Sequence, residues 1–147
     1  MKILKLQSKT EGRWEDRKEL MLKATETVSL ITLRGKEIIE SDIDRKRTGF
    51  CHGIFKANIV WDTPPEGNLP ALKPGDRLAA EEVILTVAQA GKNCHSNCRI
   101  YTNKGCAFLK EILFLSVQNP GRLRVMEELN DQSANGSREL KDRAANR

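Results

Sequence analysis

The sequence predicts a mostly β fold, built as a barrel or sandwich with a few short helices. Short segments rich in apolar and β-branched residues recur along the chain, at 28–33, 54–61, 77–79, 82–89 and 122–126. Glycine and proline separate several of them, most clearly in Lys73-Pro74-Gly75-Asp76 and Asn119-Pro120-Gly121. Pro pre-sets φ in such turns and Gly tolerates positive φ, so both segments favour chain reversal.

Length and composition are typical of one soluble domain. The chain has 147 residues, of which 39% are hydrophobic, 31% charged and only 5% aromatic, so aliphatic side chains must fill the core. The net charge of +5 is mild and the basic residues are dispersed, which argues against nucleic-acid binding. Neither a signal peptide nor a membrane span is recognisable. We therefore expect a cytoplasmic protein, free of membrane association, with reduced cysteines.

The amino-terminal part predicts two strands and a short helix. An edge strand is expected at 2–7, followed by a polar loop at 8–17 and a buried strand at 28–33. Gly35 is expected to end the buried strand, and residues 36–43 to form one or two helical turns.

The middle of the chain predicts a β-hairpin. Residues 77–79 form a short strand after the Pro-Gly turn, and residues 82–89 place Val83, Leu85 and Val87 on one face. Because few residues separate the two segments, we expect them to pair.

The carboxy-terminal part combines an ambiguous segment, a strand and a tail. Residues 106–117 are apolar and compatible with strand or helix, whereas 122–126 alternates as a final strand. The remaining sequence is polar. We therefore predict a folded domain at 1–128 and a disordered tail at 129–147.

The four cysteines, Cys51, Cys94, Cys98 and Cys106, carry most of the chemical information. The last three of them fall within 13 positions. A thiolate is both a nucleophile and a soft metal ligand, and neighbouring cations lower its pKa. Lys92, His95 and Arg99 supply such cations near the cluster.

The residues alone leave three interpretations of this cluster open. A structural zinc site would use Cys94, Cys98 and Cys106 with His95 or Cys51, but zinc sites favour two close pairs and only one is present. A single functional thiol could bind a metal centre or carry sulfur. Finally, all the thiols could be small buried side chains, which are common in protein cores.

The densest basic segment is Asp44-Arg45-Lys46-Arg47. It is compatible with a solvated surface or with a site for an anionic ligand such as a phosphate. The sequence contains neither a glycine-rich dinucleotide motif nor a phosphate-binding loop.

Several motifs, in order, resemble the MOSC family, which is named after the carboxy-terminal domain of molybdenum-cofactor sulfurases. They are FKANI at 55–59, LKPGDRL at 72–78, ILTVAQAGKNCHSNC at 84–98, GCAF at 105–108 and PGRLRV at 120–125. The resemblance covers about residues 28–128 and implies a β-rich, barrel-like fold.

The resemblance also implies one cysteine that handles sulfur or binds the molybdenum of a pterin cofactor. In the amidoxime-reducing members this is the second cysteine of a close pair, a place that Cys98 occupies here. Cys98 is accordingly the predicted catalytic and metal-binding residue. The predicted binding residues for the molybdenum cofactor (molybdopterin) are Asn58, Lys92, Arg99, Arg45, Arg47 and His52. A molybdenum-dependent oxidoreductase or a sulfur-transfer protein is expected, with a small-molecule substrate and a redox or sulfur-donor protein as partners.

Two further hypotheses remain. Many family members carry a Gly-Asp-x-His-like segment before the first buried strand, but residues 13–18 contain no histidine. A non-catalytic binding or interaction module that keeps the β-barrel is therefore the second hypothesis, and a zinc-stabilised structural protein is the third.

Overall fold

The computed structural model describes residues 1–42, 56–62, 72–91 and 111–132. In these ranges the chain forms ten strands and one helix, which confirms the predicted mostly β class. The elements are β1 (Ile3–Thr10), β2 (Arg13–Arg17), β3 (Glu19–Leu22), β4 (Thr27–Thr32), α1 (Leu33–Asp42), β5 (Ile59–Trp61), β6 (Arg77–Ala79), β7 (Ile84–Ala90), β8 (Ile112–Asn119), β9 (Gly121–Arg124) and β10 (Asn130–Asp131).

Eight strands form the main sheet, in the order β10-β6-β7-β8-β4-β5-β1-β2, and β3 pairs with β9 in a second sheet. The pair β4–β5 is parallel, whereas the other neighbours are antiparallel. A parallel pair needs a crossover connection, and α1 lies in the connection between β4 and β5. The predicted strand at 28–33 is thus confirmed as β4.

The segment before β10 links the β10 end of this strand order to β1, the second strand from the other end. Ile3 donates its backbone N–H to Glu127 (2.9 Å) and Leu129 donates to Met1 (2.9 Å), while β10 pairs with β6. The indole N–H of Trp61 lies within hydrogen-bonding distance of the carbonyls of both Met1 (3.2 Å) and Leu129 (3.1 Å). In the described part of the chain, β10 and β2 do not pair with each other. The link between β6 and β1 is made by residues 127–131, which bond to both strands.

One large apolar core is shared by both sheets and by the segment before β10. Its members include Leu6 from β1, Leu30 from β4, Leu85 from β7, Leu123 from β9 and Leu129. All five are fully buried. Since aliphatic side chains supply nearly all of this cluster, the low aromatic content is no obstacle to a dense interior.

A smaller apolar cluster attaches α1 to the sheet. Ile39 of α1 packs with Ile31, Val60 and Ile112 from three neighbouring strands. The helix starts three residues before the predicted 36–43 region and ends at Asp42. Gly35, expected to end the strand, lies in the first turn of the helix instead.

The predicted hairpin is confirmed, although its second strand spans Ile84–Ala90 and not 82–89. Strand β6 has the predicted bounds and pairs with β7 through Leu78↔Leu85 and Ala79↔Ile84. The preceding turn has Gly75 at φ 97°, and Asp76 donates its N–H to the carbonyl of Lys73 at 3.0 Å. The positive φ of Gly75 agrees with the turn that the Pro-Gly pair predicts.

The amino-terminal predictions need correction. The predicted loop at 8–17 is wrong, because β1 continues to Thr10 and β2 follows after a two-residue turn. Glu11 (φ 51°) and Gly12 (φ 79°) both have positive φ, as expected for the tight turn that suits twisted hairpin strands. In addition β1 is not an edge strand: it lies between β5 and β2.

The described carboxy-terminal part contains the predicted strands and one further short strand. The ambiguous segment 106–117 contributes a strand, since β8 begins at Ile112, while its first five residues lie outside the described ranges. The strand predicted at 122–126 appears as β9, but β10 follows it. Leu129, next to the predicted domain end at residue 128, is fully buried.

Candidate functional site at the β7–β8 end of the sheet

Most of the predicted site lies outside the described residues. This applies to Cys98 and to five of the predicted binding residues: Lys92, Arg99, Arg45, Arg47 and His52. The other three cysteines and His95, which the zinc hypothesis uses, also lie there. Their roles therefore stay predictions, and the structure contributes the places where their segments begin and end.

The segment that carries Cys98 begins and ends on two paired strands. Ala90, at the end of β7, is opposite Leu113 of β8. Gly91 then donates its N–H to the carbonyl of Ile112 at 3.0 Å. Gly91 and Glu111, the described residues on either side of 92–110, thus lie at one end of the sheet, where the next strand, β4, also ends because Ile31 is opposite Ile112.

The segment that carries Arg45, Arg47 and His52 is attached differently. It follows α1 and precedes β5, and the start of β5 at Ile59 is opposite Leu30 of β4. Since β4 and β5 are parallel, the chain enters β5 from the side of the sheet at which β4 begins. The two segments with predicted site residues are therefore anchored toward opposite ends of β4.

Beside the anchor of the Cys98 segment lies a group of contacts among Thr32, Gly35 and Glu111, here called the helix-start cluster. The Thr32 hydroxyl donates a hydrogen bond to the carboxylate of Glu111. The same hydroxyl oxygen accepts the backbone N–H of Gly35 at 3.1 Å. Thr32 therefore caps the amino terminus of α1, satisfying one of the N–H groups that a helix start leaves unpaired.

The helix-start cluster is buried and tightly packed. Thr32 is 0% exposed and Glu111 is 2% exposed. A Cβ added at Gly35 would lie 2.6 Å from the Cβ of Glu111 and 2.9 Å from a side-chain carbon of Ile31. Only glycine lets the first turn of α1 approach β8 this closely. The same close approach accounts for a glycine inside a helix, where it would otherwise be unfavourable.

Sequence reasoning missed Glu111. It is a single acidic residue next to the apolar run of β8, and the residues adjacent in sequence do not predict that it is buried. Charged side chains are seldom fully buried without a partner, and its described partner, Thr32, lies 79 positions away. The sequence offered only an indirect signal of close packing here, because a glycine, Gly35, follows the predicted strand by two residues.

Asn58 is the predicted binding residue that the structure describes, and its side chain connects three strands. Its Oδ1 accepts the N–H of Ser29 at 3.0 Å and lies 3.2 Å from the Ser29 hydroxyl, while its Nδ2 donates to the carbonyl of Gln7 at 3.1 Å. Its backbone also bonds Gln7 and Ser29. These contacts give Asn58 a structural role in holding β1, β4 and the start of β5 together.

The described residues with shifted titration lie away from the helix-start cluster. The pKa of Asp16 is lowered mainly by the hydrogen bond from the Gln7 amide (2.8 Å), with a further contribution from Lys5 (3.3 Å). The pKa of Glu128 is lowered by the hydrogen bond from the ammonium group of Met1 at 2.7 Å. Both carboxylates are at the surface, so these pairs are local features of the surface.

Within the described ranges, no group of three or more His, Cys, Asp or Glu side chains is placed to hold a metal ion. No helix in the same ranges is both long and apolar enough to cross a membrane. Comparison with models of known protein families finds no match, and no curated protein matches the chain. The functional assignment accordingly depends on the motifs and on the geometry given above.

Proposed function

We propose that this is a MOSC-type cytoplasmic protein that binds molybdenum cofactor, or carries sulfur for it, through the thiolate of Cys98. The motifs quoted above support the family, since they occur in the family's order. The observation that carries the proposal is the hairpin motif. Its Lys73–Asp76 turn and its pairing of β6 with β7 lead directly into the segment that contains Cys98.

The chemistry of the residues suits this cofactor. A thiolate is a soft metal ligand, and it is also the group that can carry a sulfur atom. Lys92 and Arg99 flank the cysteine pair in sequence, and Arg45 and Arg47 are further cations for the pterin phosphate. His52 is proposed to line the same site. A redox or sulfur-donor protein would complete the reaction with a small-molecule substrate.

In this proposal Asn58 has a structural role, because it holds β1, β4 and the start of β5 together. Its amide oxygen and nitrogen are both engaged by Ser29 and Gln7, so its contribution to cofactor binding would come through the position of β5. Contact of a ligand donor with Oδ1 would compete with its hydrogen bonds from Ser29, at roughly 1 kcal/mol or more for each bond broken.

The proposal is tested by metal and pterin analysis of the full chain purified from a host that makes molybdenum cofactor. We expect molybdenum and pterin to copurify with the wild type and with Cys94→Ser, and to be lost in Cys98→Ser. Cys94→Ser is the matched control because it removes a thiol four positions away in the same segment. A persulfide on Cys98, detected as added mass after mild proteolysis, would support sulfur transport instead.

The second candidate is a non-catalytic β module. The hydrogen bonding of Asn58 to Ser29 and Gln7 favours it, because the one described member of the predicted site serves the fold. Absence of both metal and pterin, together with slow alkylation of Cys98, would support this alternative and contradict the cofactor proposal. Stoichiometric zinc in the same preparation would support the zinc hypothesis.

A further inference from the structure

Strand β2 is an edge of the main sheet that the proposed function does not use. It is the last strand in the sheet order, and among the described residues it pairs with β1 alone. An edge strand presents backbone N–H and C=O groups that can pair with a further strand. Four of its five side chains are exposed, and the fifth, Trp14, is half-buried. Aromatic side chains of this size are enriched at interfaces between protein chains.

The hairpin turn determines which backbone groups of β2 point to the open edge. Because Glu11 and Gly12 form a two-residue turn with positive φ, the flanking pair Thr10↔Arg13 is hydrogen-bonded. Hydrogen-bonded and non-hydrogen-bonded pairs alternate along an antiparallel ladder. Alternate residues of β2, beginning with Arg13, therefore direct their backbone groups toward β1. The others, beginning with Trp14, direct theirs to the open edge.

The charges of β2 suit a second copy of the same strand. Two copies related by a two-fold axis pair antiparallel, and the outward backbone groups of Trp14 and Asp16 can pair with themselves or each other in three registers. In the first, Trp14 is opposite Trp14, and Arg13 is opposite Glu15 on both sides of the axis. In the second, Trp14 is opposite Asp16, and the two Glu15 carboxylates face each other. In the third, the two Asp16 carboxylates face each other.

The first register alone brings opposite charges together without a like-charge pair, and directly opposite like charges destabilise a sheet. Its Arg13–Glu15 pairs occupy non-hydrogen-bonded positions, where the side chains lie closest. Glu15 already accepts a hydrogen bond from Arg17 of its own strand at 3.0 Å. Because a carboxylate can accept several N–H groups, Glu15 can bind Arg13 of the other copy in addition.

We infer that β2 is a homodimerisation edge, at which two copies of this chain join their main sheets through antiparallel β2 strands. Trp14 lies at the two-fold axis, and Arg13 pairs with Glu15 across it. The partner is a second copy because the charge pattern of the strand complements itself in this register. Since the strand has five residues, the interface is small and the dimer dissociates on dilution. The inference does not depend on the proposed function.

The test measures the weight-average mass of the full chain by sedimentation equilibrium over a range of protein concentrations. With rising concentration, the wild type should shift from the 16.6 kDa of one chain toward twice that mass. Arg13→Glu and Glu15→Arg each place like charges opposite each other twice per dimer. Each variant alone should therefore weaken association at least about tenfold.

An equal mixture of the two variants should recover association. In a mixed dimer every cross-strand pair at positions 13 and 15 again joins opposite charges, and a folding defect in either variant cannot produce such a recovery. The matched control is Arg124→Glu, which makes the same charge reversal at an exposed arginine of β9 in the second sheet. Its monomer–dimer equilibrium should equal that of the wild type.

Oxidative crosslinking tests the register. In a hydrogen-bonded pair the Cα atoms are about 5.5 Å apart, within disulfide reach, so Trp14→Cys should form a crosslink between the two copies at position 14. The two Asp16 positions are offset by four residues, roughly 14 Å, so Asp16→Cys should form none. Peptide mapping by mass spectrometry separates this crosslink from any made by the four native cysteines. Crosslinking of Asp16→Cys in place of Trp14→Cys would contradict the register.

Two results overturn the inference. If the wild type keeps the mass of one chain at every concentration, β2 does not pair with a second copy, and its edge is left for a strand of a different protein. If the wild type dimerises but both variants and their mixture keep its equilibrium, the dimer contact lies on another surface.

Discussion

Glu111 and Asp16 are two carboxylates that each accept a side-chain hydrogen bond from another strand or strand end, in opposite surroundings. Glu111 is 2% exposed and its partner Thr32 lies 79 positions away in sequence. The Asp16 side chain is 69% exposed, and its partner Gln7 lies nine positions away in the same hairpin. The buried contact joins distant parts of the chain, whereas the exposed one joins neighbours that the Glu11-Gly12 turn already brings together.

The difference shows where a polar contact can influence structure. In the interior, an unpaired hydroxyl or carboxylate has no water to replace its partner, so loss of the contact is expensive. At the surface, water and salt compete with the contact, and its worth is small. We therefore expect substitutions in the helix-start cluster to affect stability strongly, and those in the hairpin to affect mainly local titration.

The largest expected effect comes from Glu111→Ala. The change leaves the Thr32 hydroxyl without its acceptor and creates a void against the first turn of α1, which together should destabilise the protein by about 2–4 kcal/mol. The free energy of unfolding, measured by urea denaturation, checks this. Against a typical domain stability of roughly 5–15 kcal/mol the loss is large.

The control for this prediction is Glu40→Ala on the same helix. Glu40 pairs with Lys36 at 3.7 Å, one helical turn away, and its side chain is 60% exposed. Such a pair contributes about 0.3–0.5 kcal/mol. If Glu111→Ala and Glu40→Ala lowered the free energy of unfolding equally little, burial of the Glu111 contact would not determine its contribution to stability.

An intermediate effect is expected for Asn58→Ala, because Asn58 is half-buried but joins three strands. Loss of its contacts to Ser29 and Gln7 should cost about 1–3 kcal/mol in the free energy of unfolding. Asn58→Asp keeps the acceptor for Ser29 and loses the donor to Gln7, so it should fall between wild type and alanine. A stability equal to wild type in both variants would contradict the structural role of Asn58.

The same contrast explains which parts of the fold were predictable from sequence. The β6–β7 hairpin was predicted because its information is local: a Pro-Gly turn and the alternation of Val83, Leu85 and Val87. Strand β2 was missed because it projects polar side chains on both faces, and it is held by the turn and by contacts such as Arg17 to Ser8 at 3.0 Å. A polar hairpin carries no hydrophobic period for a sequence pattern to reveal.

The candidate site divides in the same way. The cysteine pair was recognised from spacing, whereas the choice of Cys98 came from family resemblance. Glu111 could not be found, because its burial depends on a contact with Thr32 that exists only after the sheet and α1 have assembled. Asn58 was recognised as a hydrogen-bonding residue, but whether it served a ligand or the frame depended on the register of β4 and β5.

The smallest expected effect concerns the titration of Asp16. Its pKa lies below the ordinary value of 3.8, chiefly because of the Gln7 amide, so its contribution to stability is present above the unfolded pKa and is lost as pH falls through the folded pKa. Gln7→Ala should raise the pKa of Asp16 toward 3.8, so the small contribution of Asp16 to stability above its unfolded pKa, neutral pH included, should shrink, whereas stability below the folded pKa should not depend on this contact. NMR titration of the Asp16 carboxyl measures this directly.

Ser8→Ala is the control, because Ser8 bonds Arg17 and makes no described contact with Asp16. An unchanged pKa in Gln7→Ala would mean that Lys5, at 3.3 Å, is the cation that sets it. The hairpin would then depend on charge, which salt screens, and the contrast with the buried hydrogen bond of Glu111 would widen.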